Sequence, residues 1–469
     1  MSSTLPQVAD AMRYVLTDVA EEAARQSGFL RRQRKLSGAT FVQALVFGWL
    51  ANPDATAEER AQAAALRGVH ISAYGLDKRC TERGAECLRR VLAAAVQRLL
   101  IASDPVAIPI LRRFCGVYVY DGSVIGLPDA LREAWPGCGG SAPTIRSGAA
   151  LKIGCRLDLL SGELYGPVLK AGREHDRALE LGVEELPAGA LRVADLGFFD
   201  LKLFGLLEHK GGYWLSRFKA GTAVFFEEDG CPDGCPDGCA NASAPRRLEI
   251  EAYLKGLAEA GEEYHERRVR LGLKQRLPAR LLAVRVPEAV ARKRRRRLRF
   301  RAKRRQEGQV SAERLELAGW ECLITNAPPE MLGVHEAPVL MRARWQIERL
   351  FDLWKQHGHL DKTRSQKPHR VLCEVYAKLV GLLIQHWLIL SGGGWERAER
   401  SLMKAGRTVR RWALALAEAL DKPRRLAGVL RSIGRCMAAG CRVAKRRKEP
   451  GTAQQLLALT QGRKEAAIA

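Results

Sequence analysis

Three acidic residues stand where a metal-dependent reaction could use them. Asp121 directly follows an apolar, β-prone run at residues 117–120, and Asp195 directly follows a similar run at 191–194. Both acids are therefore expected at strand ends, whereas Glu348 is expected on a helix. Two carboxylates at neighbouring strand ends and one on a packed helix can hold two divalent cations about 3.5–4 Å apart, a pair suited to in-line phosphoryl transfer. Mg²⁺ fits such a site because it takes few carboxylates, and Mn²⁺ should substitute for it.

The helix expected to carry Glu348 spans residues 341–355, which contain no Gly or Pro. At about 100° per residue, one side of this helix is apolar and should be buried. That side comprises Ile347, Leu350, Phe351 and Trp354. A second arc of roughly 60° comprises Met341, Arg344, Glu348 and Lys355. Two cations beside one acid would lie where a phosphate passes. The alternative is a solvated face with an i, i+4 ion pair between Arg344 and Glu348.

The overall charge indicates a polyanionic partner. The chain has 77 Lys and Arg against 52 Asp and Glu, a net charge of +25, which favours nucleic acid over a membrane surface. No run of about 18 apolar residues occurs, and the N-terminus lacks the apolar stretch of a signal peptide. The protein is therefore expected to be cytoplasmic, without a membrane partner. Twelve cysteines without a paired framework indicate mostly buried thiols in a reducing compartment.

The densest charge lies at residues 292–305, where eleven of fourteen residues are basic. A solvated arm is the alternative, but so many like charges repel one another unless phosphates neutralise them. The run is therefore predicted to bind DNA. The residues expected to contact phosphates are Arg294, Arg295, Arg296 and Arg297.

Residues 1–110 are predicted to form a helical DNA-binding domain. Within it, residues 56–67, a Gly-containing turn at 68–71 and residues 72–80 have the spacing of a helix-turn-helix motif. Ser72 is placed as the N-cap of the second helix, which would present Lys78 and Arg79 to a major groove. The alternative is a pair of helices packed in a bundle.

The middle and end of the chain are predicted to form a mixed α/β core and a basic helical tail. Strand-like runs with intervening helices at 111–217 indicate a mixed sheet. The runs at 149–158 and 163–170 are predicted to pair as a hairpin, and 213–217 is predicted to be a further strand. The core would resume at 319–395 with a strand at 320–325 and the Glu348 helix. The long apolar helix at 371–390 should be buried against that sheet. Residues 218–318 differ in composition from the segments on either side. Residues 396–469 are basic and helical.

A small tandem repeat, CPDGCPDGC, places Cys231, Cys235 and Cys239 in a turn-forming loop. Three thiols at this spacing could bind a metal. A structural zinc site is closed by four ligands, however, and no fourth Cys or His lies nearby. A tolerated duplication in a surface loop is therefore favoured.

The sequence resembles the DDE transposases of bacterial insertion sequences, in the subgroup with a Tyr-(2)-Arg-(3)-Glu-(6)-Lys signature. Three of the four signature positions match here, at Arg344, Glu348 and Lys355, while Met341 stands where the signature has Tyr. The segments VYVYDGS, VADLGFFD, ARWQIE and WKQHGHLDKTRSQKP also resemble blocks of the family. The resemblance extends over residues 116–390.

This resemblance implies an RNase H-like catalytic core interrupted by a mostly β insertion domain at 218–318. Asp121, Asp195 and Glu348 would be the catalytic metal ligands, and Arg344 and Lys355 would position phosphates. In relatives that cleave through a DNA hairpin, a Trp of the insertion region stacks on a flipped base. Trp320 is the candidate here, with a core Trp as the alternative. A thioether at Met341 cannot donate the hydrogen bond of a Tyr hydroxyl.

The implied activity is Mg²⁺-dependent transposition. Two protomers would pair the terminal inverted repeats of an element, hydrolyse the phosphodiester at each end and join the 3′-hydroxyl to target DNA. Two alternatives remain. One is a domesticated or inactive descendant that binds DNA without cutting it, and the other is a structure-specific nuclease on the same fold.

Overall fold

The computed structural model describes residues 4–30, 32, 36–138, 148–227, 246–304, 306, 308–395, 397, 399–443 and 450–459. The chain divides into two compact units. Unit 1 comprises Met1–Ala107, Asp121–Leu181 and Trp345–Lys445, and unit 2 comprises Ile108–Tyr120, Gly182–Arg344 and Arg446–Ala469. The five-part domain division expected from the sequence stays a prediction. The Cys231–Cys239 repeat lies outside the described residues.

The strands are β1 Val117–Leu127, β2 Ala149–Asp158, β3 Leu164–Ala171, β4 Leu191–Ala194, β5 Tyr213–Arg217, β6 Val224–Phe226, β7 Tyr264–Leu271, β8 Leu277–Arg285 and β9 Trp320–Thr325. They hydrogen-bond in the order β3-β2-β1-β4-β5-β9-β8-β7-β6. β1, β4 and β5 are parallel, and the pairs from β5–β9 to β7–β6 are antiparallel. The mixed α/β class predicted from the sequence is confirmed.

The helices of the first half are α1 Leu5–Arg13, α2 Ala20–Gln26, α3 Gly38–Ala51, α4 Ala57–Ala65, α5 Ala73–Asp77, α6 Glu82–Val96 and α7 Leu201–His209. Those of the second half are α8 Ile250–Glu259, α9 Glu288–Arg304, α10 Ala312–Leu317, α11 Glu336–Ala343, α12 Trp345–Asp352, α13 Pro368–Ile389, α14 Leu402–Arg411, α15 Ala413–Ala419, α16 Pro423–Gly440 and α17 Thr452–Leu459. The helical character predicted for both ends of the chain is confirmed in the described residues.

The core of unit 1 is built around α13. This helix packs mainly against α6 and α3, so the expectation that it lies against the sheet is wrong. α3 is buried along almost its whole length because it is apolar on all sides, as expected of a helix surrounded by neighbours. The segment Pro368–Gly392 is long and apolar enough to cross a membrane, but its most apolar window is 94% buried within the protein.

The predicted succession of helix, turn and helix is present, but the second helix is short. Its role as a DNA-binding motif stays a prediction. α4 begins with a capping box between Thr56 and Glu59, and Gly68 has a positive φ of 74° in the turn. Ser72 caps α5 as predicted. However, α5 ends at Asp77 rather than Cys80, so Lys78 and Arg79 lie just beyond it rather than on a helix.

Unit 2 holds a second apolar core around β5, β8 and β9. The segment at 218–318 contributes β6, β7 and β8, which extend the same sheet. It also contains α8, α9 and α10, and the 17-residue α9 is its longest element. The expectation of a mostly β insertion is therefore wrong for the described residues.

Several strands begin and end where the sequence predicts. β2, β5 and β9 match the predicted bounds, and β2 and β3 form the predicted antiparallel hairpin. β1 is the exception, because it continues through Asp121 to Leu127. The expectation that Asp121 ends a strand is therefore wrong. Neighbouring-strand pairing overrides the turn preference of the Asp-Gly-Ser sequence at this point.

Candidate active site and nucleic-acid surfaces

In unit 1, Lys355 reaches the strand that carries Asp121. Its Nζ donates a hydrogen bond to the backbone oxygen of Val124 at 3.0 Å, three residues beyond Asp121 on β1. Burial lowers the pKa of Lys355, while the nearby carboxylates of Asp361, Asp352 and Asp121 oppose that shift. The ammonium group is thus held in a partly desolvated position within the electrostatic field of Asp121.

Glu348 lies in the first turn of α12, which packs against β2. The apolar side of this segment is buried as predicted: Ile347, Leu350, Phe351 and Trp354 are all nearly inaccessible to solvent. Glu348 is partly exposed. After Asp352 the helix widens into a π-helical turn, Leu353–His357, which carries Lys355. Such wide turns are frequent at functional sites because they re-aim side chains.

In unit 2, Asp195 directly follows β4. In the parallel register of β1 and β4, Tyr120 pairs with Ala194. Asp121 immediately follows the first of these residues and Asp195 immediately follows the second. The turn after Asp195 is fixed by Arg192, whose Nη2 donates to the Phe198 carbonyl oxygen at 3.1 Å.

Arg192 is a positioning residue that the sequence interpretation missed. Its side chain is fully buried, and burial lowers its pKa to about 10. The guanidinium carbon lies 5.0 Å from the centre of the Tyr120 ring. The available signal was a single cation inside an otherwise apolar strand run, which implies a buried charge with dedicated partners.

The three candidate acids have the donor chemistry of a Mg²⁺ site, because all are carboxylates and all are partly exposed. Hard divalent cations prefer such oxygen ligands. Among the residues that the structure describes, no three His, Cys, Asp or Glu side chains form a ready-made metal site. The convergence of Asp121, Asp195 and Glu348 around a metal pair therefore stays a prediction.

The sequence predicted one continuous helix for the four signature positions, but the structure divides them between two helices. The hydrogen-bond ladder is interrupted at Arg344, which caps α11 although its φ and ψ remain helical. Met341 is buried in α11, so it presents no surface to a phosphate and the predicted DNA contact at this position is wrong. Arg344 is also largely buried, and its predicted phosphate contact stays a prediction.

Trp320 is 3% exposed and belongs to the apolar core of unit 2. The hypothesis that its ring receives a flipped base is therefore wrong, and the core alternative holds. An indole that is exposed lies elsewhere: Trp345, the first residue of α12, is 56% exposed and stands three residues before Glu348.

The basic run forms α9, and its arginines divide into two groups. Arg294 donates to the Trp320 carbonyl oxygen at 3.1 Å and to Glu321 at 2.7 Å. Arg295 donates to the Leu315 carbonyl oxygen at 3.1 Å. These two side chains therefore have structural partners within unit 2, whereas Arg296 and Arg297 are exposed. Sequence alone could not separate them.

A basic groove lies beside the short helix α5. Its cavity of about 740 Å³ is lined by Lys78 and Arg79, together with Arg32 and Arg83. Tyr74 is exposed nearby, and the Lys78 ammonium lies 4.5 Å from the centre of its ring. The two residues predicted to contact DNA in this region therefore line one concave surface.

Comparison with known proteins identifies the class. Residues 115–384, more than half of the chain, match the family described as "Transposase DDE domain". The chain belongs to the DDE transposases, and its nine-stranded mixed sheet with many helices fits an RNase H-like member.

Its relatives narrow the class to bacterial insertion sequences. The chain is 27% identical over 383 residues to the transposase of insertion sequence element IS231F from Bacillus thuringiensis subsp. israelensis, covering 81% of this chain and 79% of the relative. It is 22% identical over 373 residues to the IS1151 transposase of Clostridium perfringens, covering 78% and 77%. A shorter match to a putative transposase, InsL of IS186A from Escherichia coli (strain K12), is 35% identical over 107 residues, 23% and 29% of the two chains.

Proposed function

We propose that this protein binds the terminal inverted repeats of its own element, hydrolyses the phosphodiester at each end and joins the freed 3′-hydroxyl to target DNA. The observation that most supports the proposal is the parallel register of β1 and β4. Because Tyr120 pairs with Ala194, Asp121 and Asp195 each follow directly from one matched pair. Acids in such positions are well suited to share metal ions.

Asp121, Asp195 and Glu348 are the proposed ligands of two Mg²⁺ ions, with Mn²⁺ as a substitute. When bound, such a pair activates the attacking hydroxyl and stabilises the leaving oxygen. Lys355 would bind a phosphate of the DNA end, since its ammonium is held at β1 by the Val124 carbonyl oxygen. Arg344 is proposed for the same strand because its guanidinium can form two parallel hydrogen bonds to one phosphate.

DNA would be held at two further surfaces. In unit 1, the groove lined by Lys78 and Arg79 is proposed to bind the inverted repeat. In unit 2, the exposed cations of α9, among them Arg296 and Arg297, are proposed to bind phosphates irrespective of sequence. The proposal also includes a homodimer that synapses both ends, and a cytoplasmic, nucleoid-associated location.

Glu348→Gln tests the proposal directly. Gln keeps the side-chain shape but lacks the charge that the metals need, so the variant should bind a DNA fragment carrying the element end as the wild type does. It should cut neither strand in Mg²⁺ or Mn²⁺. Glu180→Gln is the matched control, because it removes the same charge in unit 1 from a side chain that is 85% exposed. It should cut normally.

The same assay separates the alternatives. Wild-type cleavage by Glu348→Gln would refute the metal-ligand role. If the wild-type protein binds the element end but does not cut it, the protein is the inactive descendant. Cleavage of branched DNA regardless of end sequence would indicate the structure-specific nuclease.

A further inference from the structure

Two buried thiols, Cys80 and Cys373, meet beside the basic groove of unit 1. Cys80 lies between α5 and α6, directly after Arg79, which lines the groove. Cys373 lies near the start of α13, and its Sγ is 4.0 Å from the backbone oxygen of Thr81. Its thiol also donates a hydrogen bond to the Cys80 thiol. Both cysteines are free, so two oxidisable sulfur atoms from distant parts of the chain are in contact.

The Cys80 sulfur is placed to react with a small oxidant. Cys80 lines a cavity of about 360 Å³ together with Arg60 and Arg370. The hydrogen bond from Cys373 lowers the pKa of the Cys80 thiol, although burial opposes that shift. Arg60 and Arg370 add to the lowering, and Asp77 opposes it. Because the thiolate is the form of cysteine that reacts with oxidants, these neighbours favour reaction at Cys80.

The other two thiols in this region have different surroundings. Cys87 is buried in α6, and burial raises its pKa to about 12, so it stays protonated and unreactive at neutral pH. Burial also raises the pKa of Cys373. A protonated thiol beside Cys80 is suited to the second step of disulfide formation, because the departing hydroxide can accept its proton. The surroundings therefore distinguish Cys80 as the thiol that reacts first and Cys373 as its partner.

We propose that Cys80 and Cys373 form a redox-sensitive site whose disulfide weakens DNA binding at the neighbouring groove. The inference rests on the proposed function, because it takes this groove as the surface for the inverted repeat. The Cys80 thiolate attacks one oxygen of hydrogen peroxide, the O–O bond breaks, and a sulfenic acid and, after uptake of one proton, water are formed. The Cys373 thiol then attacks that sulfur, the S–O bond breaks, and the departing hydroxide takes the thiol proton. Two thiols are thereby oxidised by two electrons, and one peroxide is reduced to two waters.

The disulfide would displace the residues that line the groove. An S–S bond is about 2.05 Å long, which is shorter than any hydrogen-bond contact between two thiols, so oxidation draws Cys80 towards α13. Lys78 and Arg79 directly precede Cys80 in the same turn and would move with it. In a reducing compartment such a disulfide is transient, and thiol–disulfide exchange with a reduced dithiol restores the groove.

The test uses the full-length protein and a DNA fragment that carries the element end. Protein is treated with hydrogen peroxide, the excess is removed, and disulfides are mapped by mass spectrometry of unreduced peptides. Oxidised wild type should contain the Cys80–Cys373 disulfide. It should bind the DNA about tenfold more weakly in fluorescence anisotropy, the loss expected for one charged hydrogen bond. Dithiothreitol should restore the affinity.

Cys80→Ala and Cys373→Ala each remove one sulfur atom. Both variants should bind DNA as the reduced wild type does, before and after peroxide treatment. Either variant alone prevents the disulfide, so one is sufficient if the other does not fold. Cys87→Ala is the matched control, because it removes a buried thiol from the adjacent helix α6. It should still form the Cys80–Cys373 disulfide and lose affinity on oxidation.

Three results would overturn the inference. They are oxidised wild type without this disulfide, an equal loss of affinity in the two alanine variants, and unchanged affinity of protein that carries the disulfide. None of them affects the proposed function, which stands if the reduced protein binds the element end and Glu348 governs cleavage. If the reduced protein does not bind the end, the proposed function fails, and with it the effect of the disulfide on DNA binding.

Discussion

Two long helices of this transposase use charge in opposite ways. α13 in unit 1 is largely buried, yet it contains Lys378 and Glu374, which form an i, i+4 ion pair at 2.7 Å with both side chains almost inaccessible to solvent. Lys378 also donates to the backbone oxygens of His359 and Lys362, each at 2.9 Å. α9 in unit 2 carries far more charge, and nearly all of it is hydrated.

The difference shows what a cation contributes in each setting. A buried ammonium group must have fixed oxygen partners, because desolvating it otherwise costs several kcal/mol. Lys378 therefore holds the loop of His359 and Lys362 in one conformation, just after Lys355. Removing one hydrated cation changes the free energy of unfolding little, and several such cations act together on a polyanion. Buried charge specifies structure, whereas exposed charge provides affinity.

The largest expected effect comes from breaking the buried pair. Lys378→Met should lower the free energy of unfolding by about 3–5 kcal/mol, because it leaves Glu374 as an unpaired buried charge. Chemical denaturation would measure the change. Lys255→Met is the matched control, since Lys255 and Glu251 form an i, i+4 pair at 2.6 Å on the exposed surface of α8. If the two variants lose similar stability, the contrast between buried and exposed charge does not hold.

The second prediction concerns His386, which is buried in α13 and contacts the Gly162 carbonyl oxygen at 2.8 Å. Burial lowers its pKa from 6.5 to about 4. Between these values the unfolded chain binds a proton that the folded chain excludes, so stability falls as the pH decreases. The full loss from this residue is roughly 3 kcal/mol. Chemical denaturation would give the free energy of unfolding at pH 7.5 and at pH 5. The decrease between these two pH values should be smaller for His386→Gln than for the wild type. His70→Gln, at an exposed site, should keep the wild-type difference, and an identical result for both variants would refute the assignment.

The third prediction concerns Lys355, which lies between the two extremes because it is only partly buried. Lys355→Met should slow cleavage about tenfold to hundredfold, the range expected for losing one charged hydrogen bond. Because burial lowers the pKa of Lys355, wild-type cleavage should decline at a lower alkaline pH than that of Lys355→Arg, whose guanidinium stays charged. Coincident pH profiles would show that this ammonium group does not act on DNA.

The smallest effect per residue is expected on α9. Replacing Arg296 and Arg297 by Gln should reduce the slope of log affinity against log salt by about 0.9 for each phosphate that the protein no longer neutralises. Folding should be unaffected because both side chains are exposed. The comparison variant is Arg294→Gln with Arg295→Gln, which removes the same charge but also the hydrogen bonds to β9 and α10. It should destabilise unit 2, and an unchanged salt slope in the exposed pair would exclude phosphate binding by Arg296 and Arg297.

Local patterns accounted for much of the secondary structure. Alternating and continuous apolar runs predicted β2, β5 and β9, and the apolar period of α12 predicted its buried side. The predicted capping residue Ser72 marked a helix start correctly. Predictions of this kind succeed because backbone geometry and side-chain burial repeat with a fixed period along one element. The family resemblance, and with it the class of enzyme, also followed from short motifs.

Contacts between distant segments decided the rest. Alternate residues of β9 point into the core of unit 2, namely Trp320, Cys322 and Ile324. Because this strand is apolar on both sides, its sequence does not show whether the Trp320 ring is buried or accessible to a ligand. β1 continues past Asp121, and the helix ladder breaks at Arg344 without a Gly or Pro. The sequence by itself determined the element types, the family and the excess of positive charge. The tertiary structure decided which cations have structural partners and which are exposed to solvent, because desolvation depends on neighbours far away in the chain.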